Sequence, residues 1–210
     1  KYDEAIEAYK KSLQLKPNNA KVYYNIGKAL QKAGKPDKAI EAFKKALSIK
    51  PDYIEACNTI GATLLEQGKL DKAIDAYKRV TLLKPSYVDG FVNIGFILVE
   101  QGKYEEAIEA YNQALLIKPD YVEVYNNLGN IFQKKGNFNE ALKLYNKALL
   151  YEPDNAETYY RLGNMHKNLG RVKEAKSNYL QAIKLKPDHS SASHMLAAIT
   201  GLTTSTAPLE

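Results

Sequence analysis

A proline recurs every 34 residues along most of this 210-residue chain, and only Pro36 and Pro208 stand outside the series. A fixed period of roughly 20–50 residues indicates a stack of similar supersecondary units, so we expect a solenoid and not one globular core. Such stacks present extended surfaces to partners, and the period therefore predicts a binding role. The members of the series are Pro17, Pro51, Pro85, Pro119, Pro153 and Pro187.

Two series of glycines keep the same period, and each has its own physical reason. The first falls inside an expected helix, where glycine costs about 1 kcal/mol, so we expect a close contact between helices there. The second falls seven residues later, where a helix has to end, and we expect positive φ at these positions. The first series is Gly27, Gly61, Gly95, Gly129 and Gly163, and the second is Gly34, Gly68, Gly102, Gly136 and Gly170.

An alanine and, four residues after it, an aromatic residue recur with the same period. The small alanine allows two helices to cross closely, and the aromatic side chain one turn later fills the adjacent space. The alanines are Ala5, Ala39, Ala73, Ala107, Ala141 and Ala175, and the aromatic residues are Tyr9, Phe43, Tyr77, Tyr111, Tyr145 and Tyr179.

A polar residue follows each proline of the series, as Asp52 does, and an acidic residue often stands three positions further on, as Glu55 does. This arrangement predicts a capping box, in which side-chain oxygens accept hydrogen bonds from the first N–H groups of a helix. Each unit is then helix A, a glycine turn, helix B and a break at the proline. Because no period-two alternation is long enough for a strand, we predict eleven or twelve helices and no strands.

Ten residues of the segment 122–155 match the pattern of the tetratricopeptide (TPR) family position by position. The chain resembles TPR proteins over residues 1 to about 201. The resemblance implies an all-α fold, a right-handed TPR superhelix (α-solenoid) of antiparallel helix pairs, with helix A lining a concave groove. The family's common Trp at the fourth repeat position is replaced by Tyr23, Cys57, Phe91, Tyr125 and Tyr159. The ten matching residues are Tyr125, Leu128, Gly129, Phe132, Gly136, Phe138, Ala141, Tyr145, Ala148 and Pro153.

The register of the repeats predicts the organisation of the chain. Residues 1–19 form helix B of a truncated repeat, residues 190–201 a C-terminal capping helix, and residues 202–210 a disordered tail. The helix of residues 2–15 has an apolar side that its own helix A would cover, so we also expect weak end-to-end self-association. The five complete TPR repeats are 20–53, 54–87, 88–121, 122–155 and 156–189.

The formal net charge of +6 comes from lysines that are spread over every repeat. Lysine near the C-terminus of a helix stays solvated and favours the helix dipole. A nucleic-acid surface would need clustered Arg and Lys with outward-facing aromatic rings, so we expect no nucleic-acid partner. No apolar run approaches about 18 residues, and we expect no membrane insertion and a cytoplasmic location.

The motifs of catalysis are missing from the sequence. It contains no phosphate-binding glycine loop, and His189 and His194 are five residues apart, a poor spacing for a shared metal on one helix face. Cys57, the single cysteine, stands at a large-residue position of helix A, so we expect a buried structural thiol. We therefore predict that this chain is not an enzyme and holds no metal and no cofactor.

The concave positions of the family, carried onto this sequence, predict a peptide-binding groove. Val92, Phe96 and Val99 form an apolar stripe at i, i+4 and i+7, whose burial by a ligand would be favourable. Asparagine amides beside it can both donate to and accept from an extended peptide backbone. We expect the peptide to lie between repeats 88–121 and 122–155, anchored on Phe96. The predicted site residues are Leu65, Val92, Asn93, Phe96, Val99, Asn126, Asn127, Asn130, Arg161, Asn164 and Lys167.

The sequence predicts a protein–protein interaction scaffold that binds an extended peptide or a partner protein. The alternative is the substrate-targeting arm of a larger enzyme. Asparagine at the sixth position of three repeats resembles the ladder of the O-linked N-acetylglucosamine transferase superhelix, and residues 194–201 resemble a junction between TPR arrays and methyltransferase domains. The carboxylate clamp of Hsp70/Hsp90 cochaperones matches poorly, because Val92, Phe96 and Glu157 stand where the clamp requires Lys, Asn and Lys.

Overall fold

The computed structural model describes residues 2–201, and within this range the chain forms twelve α-helices and no strand. The predicted all-α TPR fold is confirmed. The chain divides into two compact units, Lys1–Ile117 and Lys118–Glu210. The predicted disordered tail, residues 202–210, lies outside the described residues.

The first unit contains α1 Tyr2–Leu15, α2 Ala20–Lys32, α3 Pro36–Ile49, α4 Ile54–Glu66, α5 Leu70–Leu83, α6 Val88–Glu100 and α7 Tyr104–Ile117. The second contains α8 Val122–Lys134, α9 Phe138–Tyr151, α10 Ala156–Asn168, α11 Val172–Leu185 and α12 Ser190–Thr200.

Each unit is built from helix pairs joined by short turns. In the first unit α2 packs on α3, α4 on α5, and α6 on α7; in the second, α8 packs on α9 and α10 on α11. Because only a few residues separate the two helices of a pair, the helices run antiparallel. We call the even-numbered helices α2 to α10 the A helices and their partners α3 to α11 the B helices.

The first glycine series supports an aromatic ring at the centre of each pair. A Cβ atom added to Gly129 would lie 2.5 Å from Cε1 of Tyr145, a distance that no packed carbon pair tolerates. The ring of Tyr145 is fully buried on this bare backbone. The predicted close contact is confirmed, and the structure identifies the aromatic ring of the B helix as the group that makes it. The five pairs are Gly27–Phe43, Gly61–Tyr77, Gly95–Tyr111, Gly129–Tyr145 and Gly163–Tyr179.

The second glycine series ends the A helices, as predicted. Gly34 has φ of +70°, and its N–H donates to the carbonyl of Gln31 at 3.1 Å. The next residue, Lys35, donates from its N–H to the carbonyl of Leu30 at 2.9 Å, which completes a Schellman motif. The other four members have φ between +70° and +75°, the region that favours glycine.

The predicted capping box is wrong, because the A helices begin one residue later than expected. Pro51 and Asp52 form a turn in which the N–H of Tyr53 donates to the carbonyl of Lys50 at 3.2 Å, so Asp52 stays outside α4. The N-cap of α4 is Tyr53, without a capping bond from its side chain, and the ammonium of Lys50 lies 5.1 Å from the centroid of its ring. In α2, α9, α10 and α12 the side chain of the N-cap residue does accept a hydrogen bond from a helix N–H, and these N-cap residues are Asn19, Asn137, Asn155 and His189.

The apolar side of α1 is more covered than the sequence suggested. Ile6 is buried against α2 and α3, and Tyr9 and Leu13 are partly buried in the same cluster. Leu15, at the end of the helix, remains 86% exposed. The surface on which the expected end-to-end association rests is therefore smaller, and that association stays a prediction.

Cys57 confirms the expectation of a structural thiol. Its side chain is buried in α4, and this burial raises the pKa of the thiol above its ordinary value. A thiol with a raised pKa forms little of the reactive thiolate at neutral pH.

We predict that Gly129→Ala and Gly136→Ala both destabilise the protein, for different reasons. Gly129→Ala forces a methyl group into the ring of Tyr145, and overpacking of this kind costs about 1–3 kcal/mol. Gly136→Ala meets no atom within 4 Å but strains a backbone with φ of +75°, at a cost of about 1–2 kcal/mol. Denaturant unfolding measures both changes, and adding Tyr145→Ala should offset part of the loss only in the Gly129 variant.

Burial of the aromatic rings also predicts a loss of stability in alkali. Burial raises the pKa of Tyr77 from 10.0 to about 12. Between these two values the unfolded state releases the phenol proton and the folded state keeps it. The free energy of unfolding therefore falls as pH rises, by at most about 1.4 kcal/mol per pH unit for this group. Tyr77→Phe should flatten this decline in denaturant unfolding below pH 10 and near pH 12; an unchanged slope would contradict the assignment. The substitution is compatible with the fold, because Phe43 packs on Gly27 in the way that Tyr77 packs on Gly61 and has no hydroxyl.

Candidate functional site

The predicted site residues all lie on A helices, and they divide between the two units. Asn93, Phe96 and Val99 lie on α6 with Val92, and Leu65 lies on α4. In the second unit Asn126, Asn127 and Asn130 lie on α8, and Arg161, Asn164 and Lys167 lie on α10. Each unit thus presents one set, which is mainly apolar in the first unit and polar in the second.

The apolar set of the first unit is centred on one exposed ring. Phe96 is 46% exposed, whereas Leu65 and Val99 are half-buried. Val92 is only 8% exposed, so it supports the surface from below and offers almost no area to a ligand. Sequence periodicity placed Val92 and Phe96 on one face of a helix, but an i, i+4 pair spans enough of the helix for one residue to point into the core.

Asn126 occupies the same repeat position as Val92 and is also buried, at 4% exposure. Its amide nitrogen donates to the hydroxyl of Thr158 on α10 at 2.8 Å. The Thr158 hydroxyl lies 2.9 Å from the side-chain oxygen of Asn155, the N-cap of α10, and can donate to it. Asn126 therefore joins α8 to α10 and leaves almost no surface for a ligand.

Asn130 and Asn164 have a role that the sequence reasoning missed. The hydroxyl of Tyr145 donates to the amide oxygen of Asn130 at 2.7 Å, and the hydroxyl of Tyr179 donates to that of Asn164 at 2.8 Å. Each oxygen is engaged by a core tyrosine, so the NH2 group is the end left to face a ligand. Burial raises the pKa of Tyr179 from 10.0 to about 12, so its hydroxyl keeps its proton, and remains a donor, well into the alkaline range. Residue type and spacing could not reveal this pairing, because Tyr77 and Tyr111 keep the tyrosine while Ala62 and Phe96 occupy the repeat position of the asparagine.

The one arginine of the predicted set is already close to a carboxylate. Nε of Arg161 lies 3.0 Å from Oε1 of Glu157, and Nε2 of His189 lies 3.5 Å from the other oxygen of the same side chain. Nε of Arg161 is buried without the alignment of a hydrogen bond. The carboxylate of Glu157 offsets the charge of Arg161, so a ligand carboxylate gains less from this arginine than the sequence suggested.

A cavity of about 290 Å³ lies beside Arg161 in the second unit. Four carboxylates and two cations line it, so its field does not attract an anion. The charged lining residues are Lys118, Asp120, Glu123, Glu152, Glu157 and Arg161.

The described residues show neither a metal-binding cluster nor a membrane-spanning helix. No three His, Cys, Asp or Glu side chains in residues 2–201 converge as the ligands of a metal ion would. Over the same range, no helix combines the length and the apolar character needed to cross a membrane.

The asparagines at the fifth repeat position lead to a matched pair of stability predictions. Asn58 stands 68 residues before Asn126, but Gly90 replaces the threonine, and the side-chain oxygen of Asn58 is buried without a hydrogen-bond partner among residues 2–201. A buried acceptor without a partner costs about 1–3 kcal/mol. We expect Asn58→Val to raise the free energy of unfolding, whereas Asn126→Val should lower it because the buried hydrogen bond to the Thr158 hydroxyl is lost. Denaturant unfolding of both variants tests this, and effects of the same sign would contradict it.

Comparison with known proteins extends the geometric result. The model of the family described as the Cilia and flagella-associated protein 70 C-terminal domain matches residues 1–199. No curated protein matches the sequence.

Several solved structures are similar to this chain over most of its length. The crystal structure of MamA is 34% identical, covers 74% of this chain and 91% of its own, and superposes with a TM-score of 0.66. YrrB, described as a TPR protein with an unusual peptide-binding site, is 21% identical, with a TM-score of 0.68 and coverages of 90% and 98%. PilF of Pseudomonas aeruginosa is 20% identical, with a TM-score of 0.70 and coverages of 94% and 99%. At these identities YrrB and PilF support the fold alone.

The repeat register, the glycine-supported helix pairs and these matches lead to one assignment. The chain belongs to the TPR-repeat family of the Cilia and flagella-associated protein 70 C-terminal domain.

Proposed function

We propose that the chain is a protein–protein interaction scaffold that binds an extended peptide on the exposed surface of its A helices. The observation that carries this proposal is Phe96, an aromatic side chain that is 46% exposed in the middle of α6. Its register equivalents in the second unit are Asn130 and Asn164, so the general architecture of the repeat does not require a ring there. Covering apolar surface of this kind is worth about 25 cal/mol per Å².

In the first unit the proposed anchor for the peptide is the surface formed by Phe96, Val99 and Leu65. Val99 and Leu65 are half-buried and therefore held in place by the fold, which lowers the entropy lost when a ligand covers them. Asn93, half-buried on the same helix, can bond the peptide backbone next to the anchor. An apolar ligand side chain beside a backbone amide is the ligand chemistry that fits this set.

In the second unit the proposed ligand-binding groups are the donors of Asn130 and Asn164, together with Asn127 and Lys167. The oxygens of Asn130 and Asn164 accept from Tyr145 and Tyr179, which fixes the amides with their NH2 groups available. Backbone carbonyls are the acceptors that such donors bind without reading a side chain. Val92 and Asn126 support these surfaces from within and are not proposed as contacts, because both are buried.

The alternative, a targeting arm of a larger glycosyltransferase or methyltransferase, stays a prediction. A scaffold and a targeting arm would hold their ligands on the same surface, so the binding experiment below applies to both. YrrB, a TPR protein with an unusual peptide-binding site, shares this fold and is a precedent for the proposal.

We predict that Phe96→Asp weakens the binding of peptides by at least tenfold. Peptides would be selected from a displayed random library on the full 210-residue chain, and their affinities measured by titration calorimetry. An aspartate at 96 removes the apolar anchor and places a charge where the ligand would exclude water.

Leu82→Asp is the matched control for that experiment. Leu82 is 80% exposed on α5, a B helix, so its substitution changes the same type of side chain away from the proposed surface. Retained affinity in the Leu82 variant and loss in the Phe96 variant supports the proposal. Equal affinity of the two variants for the selected peptides would contradict it.

A further inference from the structure

A cleft of about 570 Å³ opens on the other side of the first unit, between the B helices α3 and α5. The Cys57 thiol lies at its floor, with Ile60 and Leu64 of the same helix beside it. These three residues are each at most 8% exposed, so they form an apolar base under an open rim. We call this feature the Cys57 cleft. None of the residues proposed above as peptide contacts lines it.

A second cleft in the same unit shows what is missing from the Cys57 cleft. This second cleft has about 480 Å³ and lies between α1 and α3, and its lining repeats that of the Cys57 cleft 34 residues earlier in the chain. The phenol ring of Tyr23 stands at the position of Cys57, so the smaller cysteine leaves the later cleft larger. The equivalent pairs are Lys10 and Lys44, Leu13 and Leu47, Tyr23 and Cys57, Ile26 and Ile60, Leu30 and Leu64, Lys38 and Lys72, Glu41 and Asp75, Ala42 and Ala76, and Lys45 and Arg79.

In two other repeats a lysine lies over the aromatic ring at the position of Cys57, and the Cys57 repeat keeps a cation at the lysine position. The ammonium of Lys45 lies 5.9 Å from the centroid of Tyr23, and in the second unit the ammonium of Lys147 lies 5.1 Å from that of Tyr125. Arg79 is the register equivalent of both lysines and lines the Cys57 cleft. Nη2 of Arg79 donates to the carbonyl of Pro51 at 2.7 Å, which restricts the guanidinium to this region.

Arg79 is also close enough to affect the thiol. Burial raises the pKa of Cys57, and the charge of Arg79 opposes that rise. The cleft therefore combines an apolar floor with a guanidinium that has no aromatic ring of this repeat beneath it.

We propose that the Cys57 cleft binds an aromatic side chain of a partner protein, which lies over Cys57 in the place that Tyr23 fills in the preceding repeat. The ring would contact Ile60 and Leu64 on one side and the guanidinium of Arg79 on the other. Guanidinium groups favour aromatic faces, and a desolvated site strengthens this attraction. The site is a second binding surface, independent of the peptide surface around Phe96.

The rim of the cleft favours a carboxylate next to the ring. Asp37 pairs with Lys69 at 3.2 Å, which neutralises one charge of each sign. Three cations then remain at the rim against two carboxylates, so a ligand with one negative charge is better matched than a cationic one. The remaining charged residues are Lys44, Lys72 and Arg79, and Glu41 and Asp75.

N-acetyltryptophan is a suitable probe, because the chain contains no Trp and indole fluorescence therefore reports the ligand alone. We expect saturable binding to the full 210-residue chain and weaker binding of N-acetyltryptophanamide, which lacks the carboxylate. N-acetylleucine should not displace the probe. Absence of saturable binding up to the solubility limit of N-acetyltryptophan would overturn the proposal.

Substitutions at the same repeat position locate the site. Cys57→Tyr restores the ring of the neighbouring repeats and should weaken the binding of the probe at least tenfold. Cys57→Ala keeps the cleft open and should retain this binding. Tyr23→Cys, which opens the equivalent cleft beneath Lys45, should raise the stoichiometry from one probe to two. Arg79→Gln should weaken the binding of the probe without closing the cleft. This variant therefore still tests the proposal if Cys57→Tyr fails to fold.

Two outcomes would overturn the assignment. Equal affinity of the wild-type chain, Cys57→Tyr and Arg79→Gln would place the probe elsewhere on the molecule. A second copy of this chain is the other possible occupant of the cleft, and sedimentation distinguishes it from a separate partner. Association of the wild-type chain that Cys57→Tyr abolishes would show an aromatic side chain of a second copy in the cleft and would refute a separate partner.

Discussion

The contact between a glycine of each A helix and an aromatic ring of its B helix is the constraint on which each unit depends. The ring lies where a Cβ atom would be, so the two backbones approach more closely than side chains would allow. The buried ring in turn fixes the rotation of the B helix about its axis. That rotation decides which residues of each helix point inward, and therefore which remain for ligands. Binding surface and core are in this way set by the same contact.

The repeat-level features could be predicted from the sequence because each has a local physical cause. Positive φ at Gly34 and its equivalents, the bare backbone at Gly129 and the absence of strands from residues 2–201 all follow from residue type and spacing. The capping residues could not be predicted in this way. Whether Asp52 or Tyr53 begins α4 depends on how the turn after Pro51 closes, and the stacking of Lys50 on the Tyr53 ring depends on that same turn.

The candidate site was predictable as a set of helices but not as a set of contacts. A helical period separates faces by about 100° per residue, and it cannot tell whether the residue at the edge of a face is covered by the next helix. Val92 and Asn126 are such edge residues, and both are buried. Asn130 and Asn164 illustrate the opposite case, in which residues selected for a ligand also complete the hydrogen bonds of core tyrosines. Sequence spacing predicts the helix on which a side chain lies, whereas its contacts depend on the packing of the neighbouring helix.

In a repeat protein the residues that depart from the register carry the information that the register cannot. Phe96 stands where the other repeats have lysine, alanine or asparagine, and Cys57 replaces an aromatic ring. Thr158, which pairs with Asn126, stands where the other repeats have valine, alanine or glycine. None of these departures is required by the helix pair, since the neighbouring repeats fold with the other residue. Departures that expose a ring, or open a cleft beneath a retained cation, give one repeat a binding chemistry that the others lack. The common scaffold can therefore stay nearly constant while single positions distinguish one partner from another.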